Sequence, residues 1–486
     1  MRANYKEKSQ RTQVMEKMHR RIFLKSAPIA AVFGLGGLMR LPKIRSGPNI
    51  LLFVVDDMGW GDVGYHGSQI RTPFIDRLVQ NGVELDQHYV WPQCTPTRLS
   101  LITGRYSSRF GVYAATNNPV MPLDTPTIAS NFKRCGYSTG LSGKWHLGSD
   151  YEHGPRKYGF DHSYGNMTGA CHPYSHTYRK GQFQRTWHRN EKRIDQKGHT
   201  TDLITREAIR WVADQKEPWF LYVPFTAVHT PIGAPQEWMD SYQDVKFDED
   251  PKINESKRRY AAMVSHMDSA IQKIIKKVDR LGFLENTLVI FFSDNGSFYP
   301  KGPEGHQYGG DPPLISYAVG SNKPLRGEKS TTYEGGIRVP AFVYWKGRLP
   351  SNKVTEPISA VDWMPVFMHL AGYQPKGNPH WDGMNIWPLL NGNIEKLKPR
   401  TIYICYDGGM KALRFGDWKL VRMGDTEWAR QQMPGKDRSD RLYNIAKDPY
   451  EKINLAPKKS DILAQLQGLL RDEIKKDERA IRDIWK

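Results

Sequence analysis

Two pairs of hard oxygen donors are the first candidates for chemistry: Asp56-Asp57 and Asp294-Asn295, more than 200 positions apart and each directly following an apolar run. Four such donors without paired histidines or thiols suit a divalent cation, and an all-oxygen set favours calcium, then magnesium, over zinc. The third candidate is Cys94, in Pro92-Gln93-Cys94-Thr95-Pro96-Thr97-Arg98. Its polar, proline-rich neighbours and the helix-like segment after it predict an exposed thiol at a helix start, where anions bind favourably and a thiolate nucleophile is possible.

The elements that must position these residues follow from the apolar pattern. Asn49 to Val55 is a continuous apolar, β-rich run, as expected of a parallel strand covered on both faces, and Thr287 to Phe292 repeats it. Trp219 to Val223 is a third such strand, running on towards His229. Helix-like stretches lie between them at Thr72–Asn81, Thr127–Cys135, Asp202–Asp214 and Lys257–Leu281. Alternating strands and helices predict an α/β sheet domain with helices on both faces over residues 47–390, with ligand sites at the carboxyl ends of the strands. Past residue 391 short strands predominate (Arg400–Cys405, Ala412–Phe415, Trp418–Arg422), ending in a charged helix, Ser460–Lys476. Residues 391–486 therefore read as a smaller antiparallel sheet with a helix.

Composition narrows the class. With 43 Gly, 32 Pro and 12% aromatic residues, and no fixed-period repeat, the chain is neither disordered nor a coiled coil. Of the net charge of +19, residues 1–46 hold +9, and the basic remainder suits anionic ligands. No zinc-finger or RNA-binding signature accompanies the charge, so nucleic acid is set aside. Four cysteines, at 94, 135, 171 and 405, are too few for a disulfide scaffold.

At the N-terminus, His19-Arg20-Arg21-Ile22-Phe23-Leu24-Lys25 precedes an apolar stretch from Ala27 to Met39. Residues 1–46 read as a twin-arginine export signal, too short in its apolar run to span a bilayer. The expected partner is the twin-arginine translocase, the destination periplasmic or extracellular in a bacterium, with no stable membrane anchor.

Cys94-x-Pro96-x-Arg98 with Leu101-Ile102-Thr103-Gly104-Arg105 resembles the signature of type I sulfatases, in which a maturation enzyme converts cysteine to formylglycine. The resemblance continues through Gly143-Lys144-Trp145-His146-Leu147-Gly148, His229-Thr230-Pro231, Ser293-Asp294-Asn295-Gly296 and Leu325-Arg326-Gly327-Glu328-Lys329, and into Leu442-Tyr443-Asn444. Thr97 stands where serine is commonest and keeps the hydroxyl.

The resemblance implies an alkaline-phosphatase-like fold: a large mixed, mainly parallel sheet with helices on both faces, plus the smaller antiparallel sheet. It implies calcium held by Asp56, Asp57, Asp294, Asn295 and an oxygen of the modified residue 94. In the family, one hydroxyl of the aldehyde hydrate attacks sulfur and the other permits release of sulfate, which a plain serine could not do. Arg98, Lys144 and Lys329 are then cations on the sulfate, His146 assists proton removal from the hydrate, and His229 protonates the leaving oxygen.

Gly159 to Gly165 and the stretch around His172 to His176 resemble the arylsulfatase B branch, which includes N-acetylgalactosamine-4-sulfatases, so the implied substrate is a sulfated carbohydrate. The stretch 174–193 is a candidate sugar contact, and the Gly- and Pro-rich segment 298–323 a candidate active-site loop. The alternatives are a phosphonate or phosphodiester hydrolase of the same superfamily, and a non-catalytic glycan-binding protein on a sulfatase fold.

Overall fold

The computed structural model describes residues 47–178, 185–216, 218–298, 319–424 and 439–485. The export signal therefore lies outside the described residues, as do 299–318 of the expected active-site loop and 179–184 of the expected sugar-contact stretch.

The apolar runs become neighbouring strands. β1 (Asn49–Val55), β2 (Ser138–Lys144), β3 (His162–Asn166), β4 (Trp219–Pro224) and β5 (Thr287–Ser293) form a parallel block in the order β5-β1-β4-β2-β3. β6 (Ala341–Tyr344) pairs antiparallel with β5, and Trp187–Arg189 antiparallel with β3, within a sheet of ten strands.

Alternation along β1 divides the core. Ile50, Leu52 and Val54 face a cluster containing Leu99 and Ile102 of α2 (Cys94–Thr103), Phe132 of α3 (Ile128–Arg134) and Trp363 of α6 (Trp363–Leu370). Leu51, Phe53 and Val55 face the other cluster, with Ile75 of α1 (Pro73–Gln80), Ile204 of α4 (Thr200–Ala213) and Val264 of α5 (Pro251–Arg280). Both sheet faces are dry, so the strands read as continuous apolar runs.

Two helices are longer than their apolar patterns predict. α5 starts at Pro251 rather than Lys257, because Asp250 caps it through the N–H groups of Lys252 and Ile253 and Pro251 fits the first helical position. α7 (Ser460–Ile484) continues past Lys476, held by tertiary contacts: Asp477 pairs with Arg109 at 2.6 Å, and the Trp485 indole donates to the Phe110 carbonyl.

β7 (Thr401–Tyr406), β8 (Met410–Phe415), β9 (Trp418–Arg422) and β10 (Arg441–Asn444) form a separate antiparallel sheet. Its residues Ile402, Leu413 and Leu420, with Leu466 and Leu470 of α7, belong to the same apolar cluster as Leu52. This sheet thus stands on one face of the large one and shares its core. Among the described residues no helix is long and apolar enough to cross a membrane.

Candidate active site

Parallel pairing of β1 with β5 sets Val55 opposite Ser293, so Asp56-Asp57 and Asp294-Asn295 leave adjacent strand ends side by side. The Asp57 N–H donates to Asp294 Oδ1 (3.2 Å), and Asn295 Nδ2 donates to Asp57 Oδ1 (2.7 Å). Asp57 sits at φ +65°, a left-handed conformation uncommon for a non-glycine residue and found where a site constrains the backbone. All four side chains are buried. Asp56 Oδ1 and Asn295 Oδ1 have no hydrogen-bond partner among the described residues.

Such an orphaned buried oxygen costs about 1–3 kcal/mol unless a ligand compensates it. Two of them beside further carboxylate oxygens fit a hard divalent cation.

Cys94 is the first residue of α2, as expected, but it is only 2% exposed. The exposure predicted from its polar neighbours is wrong, and those neighbours are themselves bonded to distant chain. The Ser330 N–H donates to the Pro92 carbonyl (2.8 Å), and Gln93 Nε2 donates to Ser330 Oγ (2.8 Å) and the Tyr406 hydroxyl (3.1 Å). Burial pushes the Cys94 thiol upward in pKa, against the pull of Lys144 and Lys329. Its sulfur and the carboxylates of Asp56 and Asp294 lie within 4.8 Å of one another.

The cations converge on this point from separate elements. Arg98 lies one helical turn after Cys94, on the same face, and its Nε and Nη2 both reach Asp294 Oδ2 (3.0 and 2.7 Å). Thr97 locks the start of the helix, accepting from the Trp91 N–H and donating to the Trp91 carbonyl. Lys144, the last residue of β2, reaches Asp56 Oδ2 at 2.5 Å, and Lys329 reaches both Asp57 oxygens at 2.6 and 2.8 Å.

His146, at φ +59°, lies with its ring nitrogens 3.3 Å from Thr95 Oγ1. His229 Nδ1 contacts the Thr230 carbonyl at 2.6 Å, which leaves Nε2, 3.5 Å from Asp57 Oδ2, facing the site. All ten residues expected to act here are therefore brought together.

Their electrostatics are strongly perturbed, as in functional clusters. Burial, reinforced by Asp294 and Asp57 and opposed by Lys144, pushes Asp56 up to about 8. Burial acts the same way on Asp57, but Lys329 and His229 outweigh it and hold that carboxyl below the ordinary range. Burial pulls His229 down to about 3, opposed by Asp57, and burial with Lys144 and Arg98 pulls His146 well below its usual value.

Sequence reasoning missed Gln93, Thr95 and Tyr406. Thr95 carries a signal only through its place beside Cys94. Gln93 and Tyr406 carry none, since one ties the turn before Cys94 to a loop and the other comes from the second sheet.

A second group, His199, Asp202 and His266, also gathers ligand-type atoms within 4.8 Å. There His199 accepts from the Thr201 N–H and its other nitrogen bonds the Gly233 carbonyl, so the ring is committed to capping α4. No disulfide joins Cys94, Cys135, Cys171 and Cys405.

Comparisons with known proteins show the family. The Sulfatase family model matches residues 48–373. The chain is 33% identical to arylsulfatase J of Mus musculus over 475 residues, covering 87% of this chain and 75% of that protein. It is 31% identical to N-acetylgalactosamine-6-sulfatase of Homo sapiens, covering 84% and 81%. Among solved structures, Ps i-CgsB in complex with k-i-k-neocarrahexaose superposes with a TM-score of 0.76 at 30% identity, covering 89% of this chain and 93% of that one.

Proposed function

The chain belongs to the sulfatase family and is a sulfuric ester hydrolase of arylsulfatase type, and from that premise we propose that it removes sulfate from a sulfated carbohydrate, with residue 94 as nucleophile. The observation that carries the reading of the site is the pair of orphaned buried oxygens, Asp56 Oδ1 and Asn295 Oδ1, beside the Cys94 sulfur. Asp56, Asp57, Asp294 and Asn295 would hold calcium, which supplies positive charge against the sulfate oxygens. Formylglycine at 94 supplies, when hydrated, two hydroxyls on one carbon, one to bond sulfur and one to permit its release.

The chain's own residues supply the rest. Arg98, Lys144 and Lys329 balance Asp56, Asp57 and Asp294 in number, so a bound divalent cation leaves the centre positive and complementary to a sulfate ester. Because each cation is clamped by a carboxylate, it is oriented before substrate arrives and needs little reorganisation as charge shifts. His146 takes a proton from the group at position 94, and His229 Nε2 exchanges a proton with the leaving oxygen. Gln93 fixes the distance between the nucleophile turn and the Lys329 loop through Ser330.

Two relatives support a carbohydrate substrate by name: an N-acetylgalactosamine-6-sulfatase and a protein crystallised with k-i-k-neocarrahexaose. A formylglycine-generating enzyme is the expected maturation partner. Arg20-Arg21 and the apolar run after them support export by the twin-arginine route to the periplasm or beyond.

The test is mass spectrometry of the peptide containing residue 94 from the native host, followed by a screen of sulfated mono- and oligosaccharides for sulfate release. An aldehyde and turnover of at least one sulfated sugar are expected. Unmodified thiol throughout, or faster turnover of an aryl phosphate diester than of the aryl sulfate, would overturn the reading.

A further inference from the structure

At the other end of α2 from Cys94, ~14 Å away along the helix, the chain makes a second concave site. It is a trough of about 660 Å³ between the loop after α6 and the end of α3, within the size range of ligand clefts. None of its lining residues takes part in the chemistry at residue 94.

Its charge is one-sided. Arg105, Arg134 and Lys376 line it, and no Asp or Glu does. None of the three forms an ion pair among the described residues: Arg134 has only the neutral Asn131 amide oxygen as acceptor (3.2 Å). Arg105 is the more telling case. It is half-buried, its Nε is sealed from solvent without an acceptor, and its guanidinium lies over the Phe110 ring 5.3 Å away. Burial pulls its pKa below the ordinary arginine value although Asp382 opposes the shift. A guanidinium in this condition is stabilised by an anion arriving from the trough, and its planar donor fork matches a tetrahedral oxyanion.

The trough also offers flat apolar surface. Tyr373 and Trp381 line it with ring centroids 6.4 Å apart and planes tilted by 39°. Such rings present an apolar body with a polar edge. Cations alone would suit any polyanion, but cations interleaved with two aromatic faces suit one that alternates charge with a sugar ring.

We propose that this trough is a second, non-catalytic binding site for a sulfated polysaccharide, holding one stretch of the chain while residue 94 works on another. The substrate class rests on the reading in the previous section, whereas the anion-binding character rests on Arg105, Arg134 and Lys376 alone. Holding a polymer at two places raises the effective concentration of its sulfates at the catalytic centre without any new contact there.

The experiment is affinity electrophoresis of the full-length protein through gels containing dextran sulfate, with uncharged dextran as control, beside turnover of a small aryl sulfate. Wild type is expected to be retarded by dextran sulfate only, and less so at high salt. The exposed double variant Arg134→Glu/Lys376→Glu should lose about tenfold or more in apparent affinity with aryl sulfate turnover unchanged. Trp381→Ala should also weaken retardation, its fold checked by the same turnover.

Retardation equal to wild type in both variants would overturn the proposal. So would duplex DNA retarding the protein as strongly and with the same dependence on Trp381. If the protein turned over no sulfate ester, the catalytic reading would fail, and retardation that still depends on these residues, with thermal unfolding reporting the fold, would leave the trough standing.

Discussion

Arg98 and Arg109 are both buried among carboxylates, in the same stretch of chain, and they serve opposite ends. Arg109 is closed: it bonds Asp382 (2.9 Å), Glu473 (2.5 Å), Asp477 (2.6 Å) and the Glu473 carbonyl (3.0 Å), and the second Asp477 oxygen accepts from the Tyr403 hydroxyl (3.0 Å). No side-chain polar atom of Arg109, Asp382, Glu473 or Asp477 is buried without a partner. Arg98 belongs to an open cluster, in which Asp56 Oδ1 and Asn295 Oδ1 remain unpaired although cations stand close by. A closed cluster fastens α7 and β7 to the rest of the molecule. An open one keeps lone pairs directed at a place where something else must bind, at a cost in stability carried by the surrounding core.

The sharpest way to break this comparison is Arg109→Leu. It leaves three carboxylates facing one another and should lower unfolding free energy by about 3–5 kcal/mol, read by urea denaturation, while sulfate ester turnover per folded molecule persists. Equal loss of turnover would mean that the closed cluster also shapes the site.

Asp56→Asn tests the open cluster. Turnover should fall about 10²–10³-fold, or roughly 2.7–4 kcal/mol in transition-state stabilisation, with a smaller loss of unfolding free energy than in Arg109→Leu once calcium is removed. A collapse of stability comparable to that of Arg109→Leu would erase the distinction.

Calcium should discriminate further. At about 100 times its dissociation constant it should add about 2.7 kcal/mol to wild type, so chelation lowers the thermal midpoint of wild type and leaves that of Asp56→Asn nearly unmoved. An identical response of both proteins would remove Asp56 from the set of ligands.

The smallest effect concerns another paired group, Glu207, which lies 2.6 Å from Arg210 and 2.8 Å from both Arg189 and His162. Burial would raise its pKa, but His162 and Arg210 outweigh burial and lower it from 4.5 to about 2. A depressed carboxyl contributes stability above its unfolded pKa and loses it as pH falls through the folded one. The stability difference between wild type and Glu207→Gln should therefore fade as pH falls from 4.5 to about 2, as followed by urea midpoints against pH. A difference independent of pH would place the effect in packing.

Much of this was legible in the chain because local chemistry and local structure coincide. Asn49 to Val55 and Thr287 to Phe292 announce buried strands, and the polar residues directly after them announce a strand-end site. The family motifs did the rest, since single histidines such as His146 and His229 are uninformative by type. Local rules failed where burial depends on remote chain. Cys94 has polar neighbours and looked exposed, yet it is buried, and its neighbour Gln93 is bonded to Ser330 and Tyr406, far along the sequence. Helix ends failed for the same reason, as α7 persists to Ile484 through contacts with Arg109 and Phe110.

The sequence by itself determined the strands, the buried oxygen donors that follow them and the family, because periodicity, composition and motif order are properties of the chain. Only the tertiary structure decided which charges are closed and which are open. Satisfaction of a buried lone pair depends on atoms brought within ~3 Å from other elements, and no local pattern encodes that distance.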